Sequence, residues 1–158
     1  HNLFTMKRLL ILIALLIASQ YTFAQLTQSD DGRYFDQNKK PYTGLYSEKY
    51  PNGNLRIEMN ITDGMLDGTY KTYFENGQLN EIRSYKAGKM DGVWETFNDK
   101  GVKTAEASFK DGVKHGKWFV WDDAGTMRYD MTYNNGKKSG KGIIYDAQGN
   151  ILSEKSYE

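Results

Sequence analysis

The chain contains no cysteine, which excludes disulfide staples and thiolate metal sites and leaves burial and backbone pairing to hold any fold. Histidine is nearly as scarce, with His1 ahead of the first methionine and His115 the only other one. A single imidazole with no thiol supplies neither a His/Cys zinc set nor a cysteine nucleophile. Charge of one sign is also missing. The 21 basic and 20 acidic residues leave a formal +1, and a near-neutral chain has no global field to draw it onto nucleic acid or anionic lipid. Long apolar runs are absent except for Leu9 to Ala18, a stretch well short of the roughly 20 residues a membrane span requires.

That run follows Met6-Lys7-Arg8 and precedes Ser19 to Ala24, where Thr22 and Ala24 stand three and one residues before Gln25. This is the layout of a helical secretory signal peptide over residues 6–24, cut between Ala24 and Gln25. Residues 1–5 read as an upstream artefact. With no cysteine after the apolar run, the product is not a lipoprotein. It is expected in the periplasm or outside the cell, exported by the Sec route. Loss of Lys7 and Arg8 leaves 19 basic against 20 acidic residues, a net −1.

What is abundant is glycine at a fixed period. Gly44, Gly68, Gly92, Gly116 and Gly140 form one column with a spacing of 24 residues. Gly53, Gly77, Gly101, Gly125 and Gly149 form a second, and Gly64, Gly88, Gly112 and Gly136 a third. Glycine takes positive φ without steric cost, so the lattice reads as a lattice of turns and the chain as an array of one repeated unit. In the unit Gly68 to Asp91, Thr69 to Phe74 is aromatic and β-branched, Glu75-Asn76-Gly77 reverses the chain, Leu79 to Tyr85 is a second strand and Ala87-Gly88 a second turn. Asx residues open the later first turns at Asn98, Asp122 and Asp146, and glycine closes them, the pattern of a type I turn with a G1 bulge.

The expected fold is all-β: an elongated, twisted, single antiparallel meander of about ten strands, built of 24-residue hairpin repeats. Residues 25–43 read as an N-terminal capping hairpin, with Pro41 suited to an edge. The array runs from 44 to 158 in units 44–67, 68–91, 92–115, 116–139 and 140–158. Aromatic residues recur by column: Tyr46, Tyr70, Trp94 and Trp118, broken by Gly142; then Tyr73, Phe97, Trp121 and Tyr145; then Tyr85, Phe109, Tyr133 and Tyr157. The first two columns have opposite parity, so both faces should carry rings. Between them, Arg83, Ala107, Met131 and Lys155 share a variable position, which suggests a face only partly covered.

The stretches Tyr85-Lys86-Ala87-Gly88-Lys89-Met90-Asp91-Gly92-Val93-Trp94 and Phe109-Lys110-Asp111-Gly112-Val113-Lys114-His115-Gly116-Lys117-Trp118 resemble MORN-type repeats. Tyr133 to Gly140 keeps the glycines of the same pattern. The tight turns between strands are most similar to the bacterial variant in YwqK-type antitoxin-component proteins. The resemblance implies scaffolding, protein contact or membrane association, with an antitoxin-like neutralising role as the alternative.

His115 shares its column with Asp67, Asp91 and Ser139 and reads as a turn residue. Turn chemistry accounts for Asp122 and Asp146, and no calcium-loop spacing occurs. No acid–base constellation emerges, so no catalytic, metal or cofactor residues are assigned and the chain is read as non-enzymatic. Lys110, Lys114, Lys117, Lys137, Lys138 and Lys141 cluster near the later second turns and read as solvated turn lysines. The candidate partner-binding aromatics are Tyr70, Tyr73, Trp94, Phe97, Trp118, Trp121 and Tyr145, while Gly53, Gly77, Gly101, Gly125 and Gly149 serve as structural turn residues. Rings of this kind bind proteins through rigid contact area and can stack on sugars. The expected partner is another protein, with an envelope glycan or a membrane surface as alternatives, and no nucleic acid.

Overall fold

The computed structural model describes residues 25–158; the readings of residues 1–5 and of the signal peptide at 6–24 lie outside them. The described residues are all-β. Ten strands form one antiparallel meander in strict chain order: β3 (Gly44–Lys49), β4 (Leu55–Thr62), β5 (Met65–Tyr73), β6 (Leu79–Lys86), β7 (Lys89–Phe97), β8 (Lys103–Lys110), β9 (Val113–Trp121), β10 (Met127–Asn134), β11 (Lys137–Tyr145) and β12 (Ile151–Tyr157). A separate hairpin, β1 (Thr27–Gln28) with β2 (Tyr34–Phe35), precedes them.

Two kinds of turn alternate, each set by its residues. At Asp63-Gly64, Ala87-Gly88, Asp111-Gly112 and Asn135-Gly136 both residues have positive φ; at Ala87-Gly88 the angles are 48° and 81°. That is the type I′ turn, whose twist matches the flanking strands. The other turns close with Gly53, Gly77, Gly101, Gly125 or Gly149, whose amide donates to the carbonyl of the turn's first residue, as Gly101 does to Asn98 at 2.9 Å. The carboxylate of Asp122 accepts from the amides of Ala124 at 3.1 Å and Thr126 at 2.9 Å, the Asx bonding the spacing predicts.

The first glycine column is not a set of turns. Gly68, Gly92 and Gly116 lie inside β5, β7 and β9. Their φ is positive because pairing slips there: Arg83 faces Trp94, but Tyr85 faces Met90. These are bulges, which also use glycine. A Cβ at Gly92 or Gly116 would stand 3.1 Å from the Cβ of Ser84 or Ser108.

Successive units are also stitched along both rims. Asn76 Nδ2 donates to the Asp99 carbonyl at 3.1 Å, and the amides of Gly88, Gly112 and Gly136 donate to Leu66, Met90 and Lys114 one unit earlier. These bonds tie each turn to its neighbour at the cost of ordering only short loops.

The sheet is a single layer with little interior. The buried hydrophobic side chains are Met59, Ile61, Ala107 and Met131, all on one face by register. The other face carries a charge ladder across strands: Lys71 with Glu58 at 3.5 Å, Lys103 with Glu95 and Glu106, Lys117 with Asp130 at 3.1 Å and Lys141 with Glu154 at 2.7 Å. Exposed pairs add little singly, about 0.2–1 kcal/mol each. Repeated across four strand pairs they complement the register and keep this surface wet.

The β1–β2 hairpin does not pair with the outer edge of β3. The Tyr34 amide donates to the Gly64 carbonyl at 2.8 Å, and the Tyr42 amide to the Tyr34 carbonyl at 3.0 Å. The hairpin thus lies over the first units of the apolar face, where Leu26 and Tyr34 meet Tyr46, Met59 and Tyr70. Burial there pushes the Tyr34 phenol above its usual range.

Candidate interaction surface

Residues directly opposite on neighbouring strands share a face. Following the register from β3 to β10 gives one continuous row on the apolar face: Tyr46, Met59, Tyr70, Arg83, Trp94, Ala107, Trp118 and Met131. The aromatics thus alternate with the residues that sequence alone left as variable. A second row carries Tyr85, Phe109 and Tyr133 beside them. Ring centroids are 6.4 Å apart for Tyr70–Tyr85, 6.2 Å for Trp94–Phe109, 5.3 Å for Phe109–Trp118 and 5.1 Å for Trp118–Tyr133. These are tilted or edge contacts of the favourable kind.

The residue between each pair of large rings decides whether the gap is filled. Between Tyr70 and Trp94 lies Arg83, its guanidinium 5.7 Å from the first ring and 4.4 Å from the second, and its Nε donates to Glu81 at 2.7 Å. Burial is the largest single influence and works against the Arg83 charge, but the bonds to Glu81 and Tyr85 together with their charges outweigh it, and the net shift of the group is upward. Past Trp118 the gap is filled by Met131, because Gly142 replaces the expected ring. A Cβ on Gly142 would meet the Met131 methyl at 2.2 Å, which is why Met131 is only 2% exposed.

Between Trp94 and Trp118 the intervening residue is Ala107, and nothing fills the space. An apolar cleft of about 200 Å³ opens there, lined by Trp94, Thr96, Ala105, Trp118, Val120 and Tyr129. Two strand spacings, roughly 9.6 Å, separate its walls. The Trp118 wall is pinned, its Nε1 donating to the Ser108 carbonyl at 3.0 Å. The Trp94 Nε1 is buried with no partner among the described residues, so that ring is held by packing alone. The Thr96 hydroxyl is already engaged with Thr104 at 3.0 Å. Burial, followed by the neighbouring Tyr133 phenol, pushes Tyr129 up to about 12. The cleft therefore presents rings and methyl groups, with no free charge.

Of the seven candidate aromatics, Tyr70, Trp94 and Trp118 lie on this face. Tyr73, Phe97, Trp121 and Tyr145 alternate onto the charged face. There Trp121 stacks on Phe119 at 5.5 Å, with the Lys103 ammonium 6.0 Å from its ring. Sequence reasoning missed Arg83, Ala105, Ala107 and Met131. Their spacing from the first aromatic column would have revealed them once the register was known.

The polar candidates are occupied structurally. His115 Nδ1 accepts the Asn135 amide at 3.5 Å, as the carboxylates of Asp67 and Asp91 accept those of Ala87 and Asp111 at 3.2 Å. Asp146 accepts the amides of Gln148 and Asn150, and the Asn150 bond leads the causes that lower its pKa.

Three stretches of the chain, residues 42–63, 66–87 and 114–135, match the family model described as MORN repeat variant. Each covers one hairpin, starting two residues before a glycine of the first column and ending on the first residue of a type I′ turn. No curated protein matches the chain.

Proposed function

We propose that this chain is an exported, non-enzymatic repeat module of the bacterial envelope that binds a protein through the cleft between Trp94 and Trp118. The observation that carries this reading is the cleft itself, an apolar slot between two tryptophans of the aromatic row. MORN-type repeats at three hairpins accord with an interaction module. An apolar slot whose Thr96 hydroxyl is engaged and whose Trp94 Nε1 is buried suits an aliphatic or aromatic side chain of a partner. A sugar would leave its hydroxyls unpaired there, which ranks the glycan reading lower. A toxin silenced by a YwqK-type component would be one such protein partner, and a toxin-like reading frame beside the gene would favour it.

The test is an affinity capture from envelope extract with the parent and with Ala105→Phe, which fills the slot without touching a turn or an ion pair. A partner retained by the parent and lost on filling supports the reading. Equal capture by both removes it. Export is checked separately by N-terminal sequencing of the envelope form, with Gln25 expected as its first residue.

A further inference from the structure

The two edge strands of the sheet, β3 and β12, carry no further strand on their outer sides among the described residues. Three observations make these edges unlike ordinary solvated ones. The outer side of β3 is a groove of about 520 Å³ lined by Tyr46, Ser47, Glu48, Lys49, Tyr50 and Pro51. The most exposed large hydrophobic residues are Leu45 at 57%, Ile151 at 59% and Leu152 at 70%, and all three lie on the edge strands. At the position of Ile151 in the other units, Leu55, Leu79, Lys103 and Met127 are half-buried, because a following strand flanks them.

We propose that a second copy of this chain continues the sheet head to tail, laying its β12 antiparallel along the outer edge of β3. The register follows from the repeat. The β6–β7 pairs Glu81 with Thr96, Ile82 with Glu95 and Arg83 with Trp94 translate by whole units to Ser153 with Glu48, Glu154 with Ser47 and Lys155 with Tyr46. In that register Ile151 of one copy meets Tyr50 in the groove of the next. Lys155, whose ammonium lies 5.3 Å from the Tyr157 ring, gains Tyr46 on its other side. By register Gly142 stands to Lys155 as Tyr70 stands to Arg83, so Tyr46 supplies the cross-strand ring that Lys155 lacks, beside the same-strand Tyr157. The Glu48 carboxylate, which already pairs with Arg56 and accepts from the Tyr46 hydroxyl at 3.0 Å, lands diagonally from the Lys155 ammonium. The β1–β2 strands do not pair with β3, and the Tyr42 hydroxyl, which donates to the Leu45 carbonyl at 3.1 Å, gives up that bond when β12 docks. The contact joins different surfaces of the two copies, a head-to-tail interface that leaves a free edge at each end of a dimer and so continues beyond it.

The experiment is sedimentation velocity of the parent across two decades of concentration, beside two edge-blocked forms. Ser47→Pro removes a donor from β3, and Glu154→Pro removes one from β12. Circular dichroism and thermal melts establish that both fold. Leu45→Lys and Leu152→Lys form a second pair, tolerated because Lys117 and Arg128 occupy the same columns. The parent's average mass is expected to rise steadily with concentration. Each blocked form alone stays monomeric, and mixing the two gives a one-to-one dimer that grows no further. A parent that stays monomeric, a parent that stops at a dimer, or blocked forms that associate as the parent does would each overturn the proposal.

Discussion

The four type I′ turns provide an internal control for the strain held in this array. In each, the residue before glycine is left-handed, with φ of 50° at Asp63, 48° at Ala87, 49° at Asp111 and 45° at Asn135. Three of these residues are Asp or Asn, which tolerate that region; Ala87 does not. A left-handed conformation costs an ordinary residue about 1–2 kcal/mol, and a short polar side chain recovers part of that locally. Ala87 is exposed, and its amide donates to Asp67 at 3.2 Å through the backbone. Replacing its methyl group therefore changes no packing and no hydrogen bond. Ala87→Asn should stabilise the chain by about 0.5–1 kcal/mol, and Asn135→Ala should destabilise it by a similar amount. The sites lie two hairpins apart, so the double variant should return close to the parent. Urea titration followed by tryptophan fluorescence and circular dichroism measures all three; the corresponding melting shifts are about 2–4 °C. If Ala87→Asn is no more stable than the parent while Asn135→Ala is no less stable, the turn energetics argued here are wrong.

Met131→Ala empties the space beside Gly142 and should cost about 2–3 kcal/mol, the low end for a buried methionine because the cavity opens to solvent; a urea midpoint unchanged from the parent would show that Met131 is not what closes that gap. Alkaline pH should weaken the sheet through Tyr129. Its native phenol holds its proton to about 12 against a reference of 10.0, so this stabilisation is complete below pH 10 and is lost as the pH rises towards 12. Tyr129→Phe should flatten the fall in melting temperature over that interval, and an equally steep fall in the variant would assign the loss elsewhere.

The hairpins were legible because each turn needs its own residues: Asp-Gly and Asn-Gly at the type I′ positions, Asx and Gly at the ends of the four-residue turns. The 24-residue period then fixed the meander. The first glycine column misled, because positive φ serves bulges as well as turns. The discriminating signal lay in Met65 to Tyr73, which continues as strand on both sides of Gly68. The face assignments of Tyr70 and Tyr73 followed from parity. The cleft did not, because it depends on which side chain falls between Trp94 and Trp118. That requires the cross-strand register, and the register passes through slips at every unit. Ala107 and Arg83 occupy equivalent positions, yet one opens a slot and the other plugs it. Only the opposing strand reveals that difference.

Among the described residues each strand of the meander pairs only with the strands before and after it in sequence, and beyond the N-terminal hairpin the joints are spanned only by the turn-to-turn bonds of the rims. A tension drawn between the two ends of such a ribbon acts on one hairpin at a time, so its bonds part singly and at low load. Under stretch the molecule would pay out in even steps of one hairpin each and re-form in the same order.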